Sequence, residues 1–145
     1  MYLVSFANAD LVASFKKKRL LQAFVAEIFS REKKGLARLQ YVFCSDNYLL
    51  DMNKQFLQHD TYTDIITFDL SESDRTIGEI YISLDRVREN AIHFKQDFQQ
   101  EIQRVIFHGA LHLCGYKDKK KSEIEIMRHK EEEYLRLFDQ WKAKI

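Results

Sequence analysis

EIQRVIFHGALHLCGYKD, residues 101 to 118, carries two patterns at once. Ile102, Val105, Ile106, Phe107, Leu111 and Leu113 surround most of a helix rather than forming one stripe, and a helix apolar on most sides is a buried one. The spacing predicts a helix that opens near Asp97 and stops at Gly115, because glycine accepts the left-handed conformation that ends helices. Within it, His108 and His112 stand four residues apart, which puts both imidazoles on one face, one above the other. Beyond Gly115 the chain turns, and Asp118 can return toward the two histidines. The fold is therefore read outward from a central buried helix that carries chemistry on one face.

Before this helix, Ser83 or Asp85 opens another that reaches about Phe94. Two strands precede it: Asp64 to Leu70 (DIITFDL), rich in β-branched and aromatic residues, and Ile77 to Leu84, which alternates apolar and polar. The polar segment Ser71 to Arg75 joins them as a turn. Further toward the N-terminus, Ser45 or Asp46 caps a helix running to about Leu57. Leu39 to Cys44 is a strand, and Phe15 to about Lys34 is a helix by the spacing of Leu20, Leu21, Phe24, Val25, Ile28 and Phe29. Tyr2 to Phe6 alternates as a first strand. After Asp118, Ser122 to Trp141 is amphipathic through Ile126, Tyr134, Leu137 and Phe138. Four strands and about five helices in mixed order give an α+β fold, with a mixed sheet packed by helices. The chain has no proline and four glycines, so no linker can be placed, and residues 1–145 are read as one domain.

Composition narrows the function. Hydrophobic residues make up 46% of the 145 and charged residues 31%, which is a folded chain rather than a disordered one. No run is long and apolar enough to span a membrane, and MYLVSFANAD lacks the basic, apolar and small-residue zones of a signal peptide, so a cytoplasmic location is expected. Cys44 and Cys114 sit among apolar neighbours and read as small buried hydrophobes. The net charge of +1 gives no global field toward nucleic acid, so any such contact must come from a local patch. Lys16 to Arg19 reads as a solvated helix surface. The cluster of Lys117 and Lys119 to Lys121 adjoins the histidine motif and is open to either reading, solvated surface or RNA-backbone contact.

Two imidazole nitrogens and one carboxylate oxygen from His108, His112 and Asp118 would give a tetrahedral ion three protein ligands and one open position. That is the catalytic rather than the structural form of a zinc site, and water in the open position would become a nucleophile with a pKa near about 7. The alternative for Asp118 is a solvated charge within KDKKK. The string departs from that of the zinc peptidases at Gly109, where those enzymes carry the glutamate that acts as general base. The peptidase base is missing, and the site needs another substrate.

HGALHLCGYKD resembles the signature of the YbeY family, His-Gly-x-Leu-His-Leu-x-Gly-Tyr-Asp-His. DMNKQFLQHDTYTDIITF, residues 51 to 68, is similar to the family's helix with an Asn followed by Thr-Asp and an apolar strand, and IGEIYIS, residues 77 to 83, to its Gly-Asp-Ile strand. The resemblance implies a four-stranded sheet with helices and a single zinc ion held by His108, His112 and Asp118. It also implies an endoribonuclease specific for single-stranded RNA, with no DNA partner. Its role would be in maturation of the 3′ end of small-subunit ribosomal RNA and in ribosome quality control.

The chain departs from the family at two places. The third ligand is usually His and here is Asp, an ordinary zinc ligand. Many members also have an Arg in the segment aligned with Phe56 and Leu57, suited to bidentate contact with a phosphate. Here Leu57, Gln58 and His59 follow one another, and His59 or Lys54 are the candidates for that role, each with a plain surface residue as the alternative. Thr63 and Asp64 read as fixing a strand start by local hydrogen bonds, with a role at the site as the second reading. Two other functions compete with the ribonuclease: a ribosome-associated binding protein with a structural metal, and a metallohydrolase of a different substrate.

Overall fold

The computed structural model describes residues 3–58 and 62–143. Among them are four strands and five helices: β1 (Val4–Asn8), α1 (Lys18–Arg31), β2 (Gly35–Cys44), α2 (Asp46–Phe56), β3 (Ile65–Asp69), β4 (Arg75–Ser83), α3 (Leu84–His93), α4 (Phe98–Leu113) and α5 (Lys121–Ala143). They form the α+β domain with a mixed sheet that the residue pattern implies. The strand order is β1-β2-β4-β3. β1, β2 and β4 run parallel, with Tyr41 opposite Ile80, and β3 returns antiparallel to β4 with Thr67 opposite Ile80.

Both faces of the sheet are covered, as parallel strands require. Leu39, Tyr41 and Phe43 of β2 and Ile80 and Ile82 of β4 point to one side. There they meet Phe24, Val25 and Ile28 of α1 and Ile102, Val105, Ile106 and Ala110 of α4. On the other side Cys44, Leu49 and Ile66 form a smaller cluster, with Met52, Phe68 and Tyr81 against it, under α2. α4 is the central helix: it packs against α1, α3, α5, β3 and β4, and ten of its sixteen residues are buried, so its apolar surround is explained by neighbours on nearly every side.

The helix starts follow from side-chain caps. Ser45 Oγ accepts from Tyr48 N at 3.1 Å, Ser83 Oγ from Arg86 N at 3.1 Å and Asp97 Oδ1 from Gln99 N at 3.2 Å, each satisfying an otherwise unpaired first-turn amide. α1 differs. It begins at Lys18, three residues after the expected start, because Lys17 takes a left-handed conformation (φ 67°) that no helix interior accepts. It ends at Arg31, short of the expected end near Lys34, because Lys33 (φ 59°) reverses the chain, and Gly35 is the first residue of β2. No helix among the described residues is long and apolar enough to cross a membrane.

Candidate metal centre

The last two turns of α4 carry His108 and His112, with ring centroids 4.5 Å apart and ring planes nearly perpendicular, at 87°. The helix then stops in a Schellman turn. Gly115 takes φ 110°, its N–H bonds to His112 O at 3.0 Å, and Tyr116 N–H bonds to Leu111 O at 3.0 Å. This turn brings two groups back over the helix end. Tyr116 O lies 2.9 Å from His112 Nδ1, and Asp118 Oδ2 lies 3.2 Å from both His108 Nε2 and His112 Nε2.

The partners of the Nδ1 atoms determine what the Nε2 atoms offer. A carbonyl only accepts, so His112 Nδ1 donates to Tyr116 O. His108 Nδ1 is 2.5 Å from Glu131 Oε2. Burial pushes the Glu131 carboxyl up, but the hydrogen bond from His108 and the charge of Arg104 outweigh it and hold the group below its ordinary value, hence ionised and acceptor only. With Nδ1 of each ring engaged in this way, Nε2 is the ring atom left facing the Asp118 carboxylate. Two imidazole nitrogens and one carboxylate oxygen thus converge on one point, each able to offer a lone pair to a cation. Tetrahedral ligands at a usual zinc bond length of about 2.1 Å stand about 3.4 Å apart, close to the two separations of 3.2 Å seen here. The donor set fits a divalent ion, and His108, His112 and Asp118 are the one group of three or more His, Cys, Asp or Glu among the described residues whose ligand atoms all approach one another within 4.8 Å.

Glu131 is itself held. Its Oε1 accepts from Arg104 Nη1 at 3.1 Å, and Arg104 is clamped by Glu101 through Nε at 3.0 Å and Nη2 at 2.5 Å. Glu101 and Glu131 are 2% and 3% exposed, while the Arg104 side chain between them is 30% exposed, so two buried carboxylates on α4 and α5 are joined by a guanidinium that reaches toward the surface. His108, His112 and Asp118 face the other way, into a groove walled by Asn53, Leu57, Asp64, Thr67 and Lys119.

The structure places the other candidate residues as follows. Lys54 is exposed on α2 and lies outside the groove lining, whereas Lys119 belongs to it. His59 lies outside the described residues. Lys117, Lys120 and Lys121 are exposed, and the amides of Lys119 and Lys120 donate to Glu123 Oε1 at 3.2 and 2.9 Å, which fixes the start of α5 beside the site. Cys44 and Cys114 are buried, and burial pushes both thiols up to about 12, so they are packing groups rather than ligands. Asp64 stands where β3 begins and at the groove wall. Its carbonyl accepts from Ser83 N at 2.9 Å, and its side chain enters the groove, where burial raises the carboxyl while His108 and Arg104 pull it back only in part. Glu131 and Arg104 had no signal in the sequence: they sit among other charged residues of helices, and only the packing of α5 on α4 selects them.

Residues 4–139 match the family model described as Endoribonuclease YbeY. The chain is 46% identical over 136 residues to the Endoribonuclease YbeY of Flavobacterium psychrophilum, covering 94% of this chain and 96% of that one. It is 48% identical over 135 residues to that of Phocaeicola vulgatus, covering 93% and 98%. Among solved structures it is similar to the solution structure of TM1509 from Thermotoga maritima, with a TM-score of 0.63 and 28% identity over 97% of this chain and 93% of that one.

Proposed function

The chain belongs to the Endoribonuclease YbeY family, and on that premise we propose that it is a zinc-dependent endoribonuclease of single-stranded RNA whose metal is held by His108, His112 and Asp118. The observation that carries the reading is the convergence of two Nε2 atoms and one carboxylate oxygen at an open groove. A bound zinc ion supplies Lewis acidity there, polarising a phosphoryl oxygen or making an attacking hydroxyl more acidic.

The residues around that point have separate tasks. Tyr116 O and Glu131 keep the two rings turned so that Nε2 faces the groove. Lys119 at the groove wall, with the exposed Lys117, Lys120 and Lys121 beside it, supplies positive charge for an RNA backbone in a chain whose net charge is only +1. Asp64, its carboxyl held above the ordinary range by burial, is the acid available to protonate a leaving oxygen. Ribosomal RNA, at the 3′ end of the small-subunit species, is the proposed natural substrate, with the small subunit as partner in the cytoplasm.

The test is cleavage of an end-labelled single-stranded RNA by zinc-loaded protein, with the same RNA in duplex form and with His112→Ala purified identically. Cleavage of the single strand by the wild type alone supports the reading. Equal cleavage by the variant refutes it as contamination, and a wild type that holds zinc but cuts no RNA, free or on the small subunit, refutes the ribonuclease assignment.

A further inference from the structure

We propose that Glu131, from α5, is the positioning residue for His108, setting which ring nitrogen the metal site receives and adding negative charge behind it. The inference rests on the metal-site reading above and extends it to a residue outside the ligand motif.

The two histidines are supported unequally. His112 Nδ1 donates to a neutral backbone carbonyl, supplied locally by the turn that ends α4. His108 Nδ1 meets a carboxylate at 2.5 Å, supplied from 23 residues away. Glu131 could have been satisfied by Arg104 alone; instead each of its oxygens has its own partner, Oε1 the guanidinium and Oε2 the imidazole. Arg104 cannot swing away, because Glu101 grips it through two nitrogens. At 3% exposure Glu131 has no room to relax into water. The ring of His108 is thus locked by a rigid chain, and its Nδ1 is committed as donor.

Charge points the same way. Glu101, Arg104 and Glu131 together carry −1 when ionised, and Asp118 adds another −1 on the groove side. Glu101 and Glu131 are buried, and a cation close by offsets the cost of burying a carboxylate. The ion proposed at Nε2 of His108 is one imidazole ring away from Glu131. A carboxylate behind a ligating imidazole also strengthens the imidazole as a donor to the metal, and loss of such partners costs 10–100-fold in metal affinity in general.

Two measurements test this. In zinc-loaded wild-type protein labelled with 15N-histidine, long-range 1H–15N correlation should show His108, assigned by its loss in His108→Gln, with the proton on Nδ1 and Nε2 left to the metal. A proton resident on Nε2 overturns the proposal. Second, the zinc dissociation constant, from competition with a chelating dye, should rise about 10–100-fold in Glu131→Gln while the far-UV circular dichroism is unchanged. A Glu131→Gln protein that binds zinc as tightly as the wild type overturns it, while the metal reading stands. A wild type that takes up no zinc sinks the metal reading and this inference together. If Glu131→Gln does not fold, the wild-type tautomer alone decides.

Discussion

Gly109 is pressed against Ile80: a Cβ at position 109 would stand 2.9 Å from Ile80 Cδ1 and 3.1 Å from its Cγ2, with Ile65 Cδ1 at 3.0 Å. The glycine next to the first metal-site histidine is therefore a contact between α4 and the sheet, not a gap in the groove. This gives a physical reason for the missing peptidase glutamate. At 109 such a side chain would be driven between Ile65 and Ile80, away from the ligands.

Gly109→Ala sets two effects against each other. Alanine improves helix propensity by about 1 kcal/mol, while overpacking a filled core costs about 1–3 kcal/mol. Ile80 is fully buried and its methyl cannot move into solvent, so overpacking wins. We expect a net loss of about 1 kcal/mol, read as a lower urea midpoint with an unchanged m-value. A midpoint equal to or above that of the wild type would show that α4 and β4 have slack between them.

The proposed metal ligands are separate from the core. His108, His112 and Asp118 have side chains 15%, 25% and 38% exposed, and none belongs to the main apolar cluster. Metal-free protein should then stay folded, with the circular dichroism of the loaded form. Free zinc at a hundred times its dissociation constant adds about 2.7 kcal/mol, a rise of roughly 5–10 °C in Tm for a domain of this size. Unfolding on chelation would instead favour the competing reading, a binding protein with a structural ion.

What could be read in advance was local. The pair His108 and His112, the turn at Gly115 and the return of Asp118 lie within eleven residues, and helix geometry alone brings the two imidazoles to one face. The helix starts at Ser45 or Asp46, at Ser83 or Asp85 and near Asp97 were legible for the same reason, and the structure selects Ser45, Ser83 and Asp97 as the caps. The adjacency of β3 and β4 was visible in their short polar connection, but the parallel pairing of β2 with β4 was not, since it depends on how α1 and α4 cover the sheet. Lys17 gave no warning of a left-handed conformation, which lysine seldom adopts. Glu131 follows Lys130 and precedes Glu132 and Glu133, and nothing in a run of acids marks the one that will face His108. Asp64 lies 44 residues before His108, and its place in the groove is set by the pairing of β3 on β4.

Glu32 ties α1 to the two segments that follow the metal helix. Its Oε1 accepts from Tyr116 Oη at 2.7 Å, and its Oε2 from Tyr134 Oη and from Lys130 Nζ, the latter at 3.4 Å. Burial pushes this carboxyl up, but the two phenols and the lysine outweigh burial and leave it below the ordinary value. A depressed folded pKa contributes stability that is complete above the unfolded value, about 4.3, and is lost as pH falls through the folded one. Glu32→Gln should cost about 1–3 kcal/mol at pH 7. The gap between variant and wild type should hold down to about pH 5 and narrow below about pH 4. Urea titrations at pH 7, 5 and 3 check this, and a gap that widens in acid would contradict the assignment.

Asp64 gives the sharpest test of the groove chemistry. As the acid for a leaving oxygen it must be protonated to act, and burial raises its pKa above the ordinary carboxylate value. Cleavage by wild-type protein should therefore fall as pH rises through that value. Asp64→Asn cannot donate a proton; it should lower kcat about 10²–10⁴-fold and remove that alkaline limb, with zinc content and KM near those of the wild type. The strand start should survive, because the bond from Ser83 goes to the Asp64 backbone carbonyl. A variant that keeps the wild-type kcat and pH profile would leave Asp64 a purely structural residue and move the search for the acid to another group on the groove wall.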